Sequence, residues 1–421
     1  MVKVRVALIG AGDRGKDRYG EFAINYPENI EFVAVAEPNE IKRREFSQKH
    51  NIAPEFQFES WEPLLDKEKF CDGIIIATQD DMHFEPSKKA LEKGYHLLLE
   101  KPMSDDLTEC VELGKISRKS DKTFMICHVL RYTPFYSTIK KIIDDGTIGD
   151  VMSVQHNENI GYFHMAHSFV RGNWRNSEES NPIILAKSCH DMDLLLWLVG
   201  KRCTKISSFG NLTYFVPEKA PKNAGDRCLT CDIEETCLYS AKKLYYKHIG
   251  GWPTTVITEI QTIEAVTKAL EEGPYGRCVF KCDNDVCDHQ VTIMEFDDGI
   301  TATFNLSAFT NKVHRSLKIM GTEGEIRADD SVNEIEVNKF ASNERVIIKP
   351  GVITGGHGGG DHGIMRDFIS LIKEESCKAL TSADISVESH VMAFAAEDSR
   401  VNSKTIVLKD FYEQFDIGTS E

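Results

Sequence analysis

The sequence predicts an α/β protein in two parts. The first is a doubly wound parallel sheet, and the second an α/β domain with a large, open, mostly antiparallel sheet. Three observations carry this. Short apolar runs alternate with helix-spaced segments as far as residue 127. After residue 128 the later runs alternate apolar with polar residues, as strands with one solvated face do. The first apolar run breaks at a glycine-rich turn, Gly10-Ala11-Gly12-Asp13-Arg14-Gly15.

Val4–Ile9 is apolar and β-branched, and a second run, Phe32–Ala36, ends at Glu37, 22 residues beyond Gly15. Strand, glycine turn, helix, strand and acid is the order of a Rossmann dinucleotide-binding unit. Gly10 permits the tight turn, Gly12 lets the backbone approach a pyrophosphate, and Gly15 lets the helix pack close to the strand. Asp13 and Arg14 belong to the same cofactor-binding turn, where the helix offers free N–H groups and a positive dipole end to phosphates. Glu37 lies where an acid accepts hydrogen bonds from ribose hydroxyls. Its charge repels a 2′-phosphate, which favours NAD. Arg14, Lys42, Arg43 and Arg44 stand near enough in sequence to keep NADP as the alternative.

Gly73–Ala77, His96–Leu99 and Phe124–Cys127 read as further buried strands, and Glu40–His50, Glu85–Lys93 and Leu107–Lys119 as helices. Ligands sit at the carboxyl ends of such strands, which selects Gly10–Gly15, Thr78–His83 and Glu100–Pro102 as site loops. Pro134–Asp144 reads as a helix, Val151–Tyr162 as a strand, and Leu194–Val199 as the continuation of a helix that begins near Lys187. Gln290–Phe296, Ala302–Ser307, Ser316–Gly321, Glu325–Ala328 and Ile335–Val337 follow as strands, with Asp297-Asp298-Gly299 as a hairpin turn. Asp361–Glu374 and Ser386–Ser399 are closing helices. Residues 350–363 hold seven glycines, a loop that backbone strain or a close ligand explains. The domains are then 1–127 for nucleotide and 128–421 for substrate and oligomerisation, with a cysteine-rich insertion at about 215–287.

Hydrophobic residues make up 41% of 421, ample for large cores, and the net charge of −16 argues against nucleic acid and anionic membranes as partners. No signal peptide or membrane span is read, and a core strand begins a few residues after Met1. An intact amino terminus and a cytoplasmic protein are the expectation. Of twelve cysteines, six lie between Cys228 and Cys287. A chain without an export signal is not expected to rely on disulfides. Structural zinc on Cys228, Cys231, Cys237 and Cys278 is one reading, and free thiols packed as small hydrophobes the other.

Glu100-Lys101-Pro102 after the fifth strand and Thr78-Gln79-Asp80-Asp81-Met82-His83 after the fourth, with the glycine turn, resemble the glucose–fructose oxidoreductase and inositol dehydrogenase (Gfo/Idh/MocA) family. So do His190-Asp191-Met192-Asp193-Leu194-Leu195-Leu196-Trp197-Leu198 and Gly321-Thr322-Glu323-Gly324-Glu325-Ile326. The resemblance covers nearly the whole chain apart from the insertion. It implies NAD-dependent hydride transfer at a hydroxyl of a sugar, polyol or sugar derivative. It also implies a homodimer or homotetramer formed through the open sheet. Lys101 is implied to touch nicotinamide ribose and substrate, Glu100 to position the cofactor, and Pro102 to be cis. Thr78 and His83 are implied to line the nicotinamide side, Gln79 to bind the cofactor, and His190 to exchange the proton.

Lys101 also has its own physical case: a lysine in a partly dry cleft loses charge readily and exchanges hydrogen bonds with a reacting oxygen. The competing reading is a surface salt bridge to Glu100. For His190 the competing reading is a core histidine. Arg131 offers a donor fork for sugar hydroxyls or a carboxylate. Tyr132 and Tyr162 offer sugar-stacking faces, and interdomain packing is the alternative for all three. Family dehydrogenases often carry an aspartate four residues before the histidine. Here that position is Ala186, and Lys187 or Asp191 are the candidates to substitute for it at the substrate. In the loop Gly355–His362, His357 and His362 are candidates for substrate contact, and Asp361 reads as a helix N-cap. A similar loop occurs in related NAD-dependent glycoside hydrolases, which oxidise a hydroxyl, eliminate, add water and return the hydride. Such redox-neutral chemistry is the first alternative, and a non-catalytic NAD-bound sensor the second.

Overall fold

In the computed structural model, residues 3–351, 356–374, 376, 378–415 and 417 are described. The first sheet contains β1 (Val4–Ile9), β2 (Ile30–Ala36), β3 (Gln57–Phe58), β4 (Gly73–Ile76), β5 (His96–Leu99) and β6 (Phe124–Ile126). Every pairing is parallel, in the order β3-β2-β1-β4-β5-β6. The chain winds outward in opposite directions from β1 and β4, so a crevice opens above their carboxyl ends. Side chains on each face are buried: Val6, Leu8 and Leu98 on one, Ala7, Ile9 and Leu97 on the other. β3 has two residues, too few for any sequence pattern.

The second sheet has nine strands: β7 (Val151–Asn159), β8 (Cys203–Asn211), β9 (His289–Phe296), β10 (Thr301–Ser307), β11 (His314–Gly321), β12 (Gly324–Asp329), β13 (Glu334–Lys339), β14 (Arg345–Ile348) and β15 (Ile406–Val407). Their order is β14-β13-β12-β11-β7-β10-β9-β8-β15, antiparallel throughout except between β7 and β10. The β9–β10 turn has Asp298 at φ +61° and Gly299 at +75°, the left-handed geometry its sequence predicts. β8 was not legible because Lys205, Ser207 and Ser208 dilute its alternation. One face is buried. The other exposes Met152, Phe209, Val291 and Ile293.

Two late helices tie the sheets together. Gly360–Lys373 lays Ile364, Met365, Phe368 and Ile372 against the first sheet, where a Cβ on Gly73 would meet Phe368 at 3.2 Å. Ala383–Asn402 packs on Leu107–Lys119, β8 and Cys189–Val199. The insertion lies between β8 and β9 and has its own small core of Cys228, Ala241, Tyr245, Val266 and Leu270.

Candidate active site

The glycine turn is shaped by steric necessity. Gly10 sits at φ +92°, and a Cβ there would lie 2.5 Å from the Ala77 carbonyl oxygen. A Cβ on Gly15 would lie 2.1 Å from the Gly10 oxygen, whereas one on Gly12 would meet nothing within 4 Å. The turn is thus tight at two glycines and open at the third, and the helix that follows begins at Asp13. Glu37, 8% exposed, accepts the Ala11 N–H at 2.8 Å and the Asn39 N–H at 2.9 Å. Its carboxylate is folded over the turn, not released into water. The open backbone and the oriented acid fit a dinucleotide. Glu37→Ala is expected to weaken NADH binding about 10- to 100-fold, as loss of charged hydrogen bonds does. A fluorescence titration giving an unchanged Kd rejects that role.

Arg14 turns inward. Its guanidinium donates to Glu100 at 2.5 Å, and to the Tyr19 hydroxyl and Asp361 at 2.9 Å each. Tyr19 also donates to Glu100. Burial works to raise the Glu100 pKa, but Arg14, Lys101 and these hydrogen bonds outweigh it and hold it below the usual carboxylate range. Asp361 is held low in the same way, burial being overcome by Arg14 and His357. This corrects the expected N-cap role. The cap residue is Gly359, and Asp361 faces Arg14 and, at 3.2 Å, Nδ1 of His357. The Glu100–Lys101 surface pair is likewise replaced, since Glu100 serves Arg14. Gly355 lies outside the described residues.

Lys101 precedes a cis peptide to Pro102, and its Nζ donates to the Ala186 carbonyl oxygen at 2.9 Å. At this position the backbone holds the lysine. His190 is buried with Nδ1 unpartnered among the described residues. Burial first, then the charges of Lys101, His128 and His357, push its pKa well below 6.5, so it is neutral. The His357 ring lies 6.0 Å from it, and so does that of His128, which is fully buried, with neither nitrogen hydrogen-bonded among the described residues and Nε2 3.9 Å from an Asp193 oxygen. His128 was not singled out from sequence, because a lone histidine in an apolar run carries no spacing signal.

His83 donates Nδ1–H to the Pro102 carbonyl at 2.7 Å and so braces the cis turn. Thr78 closes its own loop onto the Met82 carbonyl at 3.3 Å. Gln79 precedes the turn Asp80–Met82, whose Asp80 accepts from Asn181 at 2.9 Å. Asp13 lies 3.7 Å from Arg18.

Several expected substrate contacts have partners within the chain. Arg131 is buried and grips Asp193 with two bonds of 2.8 and 2.7 Å, its third going to the Leu380 carbonyl. Asp191 is fully buried between His156 and Arg315. Lys187 pairs with Glu158 at 3.2 Å. Tyr132 donates to Asp367, and Tyr162 packs edge-on to Phe163 and Tyr239. His362 packs on Phe22 and Tyr26, away from His190. Their sequence neighbourhood did not reveal these partners. Cys189, buried beside His190, has its thiol pushed up to about 12 by burial.

Cys228, Cys231, Cys237 and Cys278 line one cavity of about 20 Å³ with Arg171. Among the described residues, however, no three His, Cys, Asp or Glu side chains converge where a metal ion could be held. The expected zinc clip is therefore not shown among the described residues. Among the described residues no helix is long and apolar enough to cross a membrane.

The buried histidines set an acid limit on stability. His390, which accepts from the Met103 N–H, is pushed down to about 3, and His96 to about 4, in each case chiefly by burial. An unfolded histidine titrates near ~6.5, so the unfolded chain binds protons first, at up to about 1.4 kcal/mol per pH unit for each group. Stability is expected to be full above about pH 6.5 and to fall as pH drops toward these folded values. Urea denaturation with a constant midpoint from neutral to acidic pH would reject this.

The model of an oxidoreductase family's NAD-binding Rossmann fold matches residues 4–128, and that of its C-terminal alpha/beta domain matches residues 140–406. The chain is 26% identical to the oxidoreductase YteT of Bacillus subtilis over 378 residues, 86% of each protein. It is 26% identical to 2,7-anhydro-N-acetylneuraminate hydratase of Escherichia coli, over 51% of this chain and 55% of that one. It is also 26% identical to D-xylose dehydrogenase of Paenarthrobacter nicotinovorans, over 39% and 42%. A solved levoglucosan dehydrogenase in complex with NADH and L-sorbose shares the fold, with TM-score 0.71 and 17% identity over 97% of this chain and 99% of that one. An oxidoreductase domain protein from Kribbella flavida does so at TM-score 0.72 and 16% identity, over 97% and 99%.

Proposed function

Because the chain belongs to the Gfo/Idh/MocA oxidoreductase family, we propose that it moves a hydride between NAD and a carbinol carbon of a sugar, polyol or sugar derivative. The observation that carries this is Lys101, held by the Ala186 carbonyl at 2.9 Å, with its charge acting on a neutral, buried His190. Bound NAD supplies the hydride acceptor or donor. Lys101, steadied by the Ala186 carbonyl, hydrogen-bonds the reacting oxygen. His190, neutral and with Nδ1 unpartnered among the described residues, takes the hydroxyl proton as the carbonyl forms. Glu100 and Arg14 hold the Lys101 turn, and His83 braces its proline. Incubation with NAD and a panel of sugars, polyols and anhydrosugars is expected to yield NADH with at least one class.

A second reading is favoured by one observation: a carboxylate–histidine pair, Asp361–His357, approaches His190. Two proton-handling groups suit a redox-neutral cycle, where one removes a carbon-bound proton and the other protonates the leaving oxygen. Solvent deuterium in the product without NADH accumulation selects this reading. NAD in preference to NADP follows from Glu37. The exposed apolar face of the second sheet supports self-association as a dimer or tetramer, which light scattering on the purified protein tests.

A further inference from the structure

Glu259 brings the insertion back to the nucleotide domain. Glu259 lies 3.0 Å from Lys16 Nζ and 3.7 Å from Lys42 Nζ. Lys16 directly follows Gly15. Lys42 stands in the first turn of the helix Glu40–His50, five residues beyond Glu37. The two lysines thus belong to the two helices that flank the corner where turn and acid meet. Lys16 also faces Glu45 at 3.4 Å, and its side chain is 16% exposed against 26% for Glu259. Such a part-covered pair is screened less than a surface one.

The segment bearing Glu259 has a defined shape. Gln261 accepts the Gly250 N–H at 2.9 Å and donates back to the Thr254 carbonyl at 3.4 Å. At its base, Trp252 packs edge-on to His164 and His167, with centroids 5.1 and 5.4 Å apart. These contacts root one end of the segment in the second domain while Glu259 touches the first.

We propose that residues 252–263 form a strap across the ribose corner of the nucleotide crevice, with Glu259 as a latch that slows cofactor release. This rests on the NAD-binding reading above. A dinucleotide clasped by Glu37 leaves past the edge that Lys16 and Lys42 border, so the Glu259 pairs separate before it does. A retained cofactor suits a cycle that returns its hydride in place. Net oxidation, by contrast, requires exchange at every turnover.

The test loads full-length wild type and Glu259→Gln with NADH, chases with excess NAD, and follows fluorescence loss by stopped flow. Release is expected to be about three- to tenfold faster in E259Q, in line with loss of a part-covered ion pair. Wild-type release is expected to accelerate with salt, and E259Q release to be nearly salt-independent. Lys42→Gln is expected to accelerate release from the other side of the contact, and Glu264→Gln, on an exposed helix face, to change nothing. Equal release rates and equal salt dependence in wild type and E259Q overturn the strap while leaving NAD binding intact. Failure of both proteins to bind NADH overturns the NAD-binding reading and the strap together.

Discussion

Lys101→Met is expected to lower turnover by about 10²- to 10⁴-fold, the range for a positioned acid–base group, while NADH affinity changes little. Methionine keeps the length and apolar stem of lysine but has no donor for the reacting oxygen. The native ammonium group is not free to wander, because the Ala186 carbonyl fixes it at 2.9 Å. The loss is therefore expected in kcat rather than KM, and it applies to either proposed reaction, since both begin by drawing a proton from a hydroxyl. A variant that binds NADH normally and turns over at the wild-type rate removes Lys101 from the chemistry. One that binds NADH far more weakly makes it a cofactor-positioning residue instead.

Arg315→Met is expected to destabilise the fold by about 3–5 kcal/mol at neutral pH, the cost of uncompensated buried charge. Arg315 lies 2.7 and 3.1 Å from the two Asp191 oxygens and 2.7 Å from Glu158, and both carboxylates are fully buried. Lys187 on Glu158 and His156 on Asp191 complete the cluster. Without the guanidinium, two negative groups face each other in a dry interior. Burial alone would raise the Asp191 pKa. Arg315 and His156 overcome it and hold that carboxyl below the usual range. Its contribution is thus present above the unfolded value of ~3.9 and is lost as pH falls through the folded one. In the variant the carboxylates regain protons more readily, so its deficit is expected to shrink as pH falls. Urea midpoints for both proteins at neutral and mildly acidic pH decide this. A deficit below about 1 kcal/mol would place the cluster among the weak ion pairs.

Sequence by itself determined whatever depends on near neighbours along the chain. The strand before Gly10, the steric need for Gly10 and Gly15, the acid at the end of β2, the Asp298-Gly299 turn and the Lys101-Pro102 loop were all legible. In each, backbone geometry and side-chain alternation leave a local mark. Tertiary structure decided which polar groups meet. Arg14 faces Asp361 across most of the chain, Arg131 and Asp191 are held by Asp193 and Arg315, and Glu259 of the insertion sits on Lys16. The helix Gly360–Lys373 was recognisable from its apolar spacing, yet that spacing did not show that it covers the first sheet. Periodicity reports that a face is buried, because burial repeats with the pitch of the backbone. It does not identify the partner, because a buried charge is satisfied by whichever opposite group the fold brings within hydrogen-bonding distance.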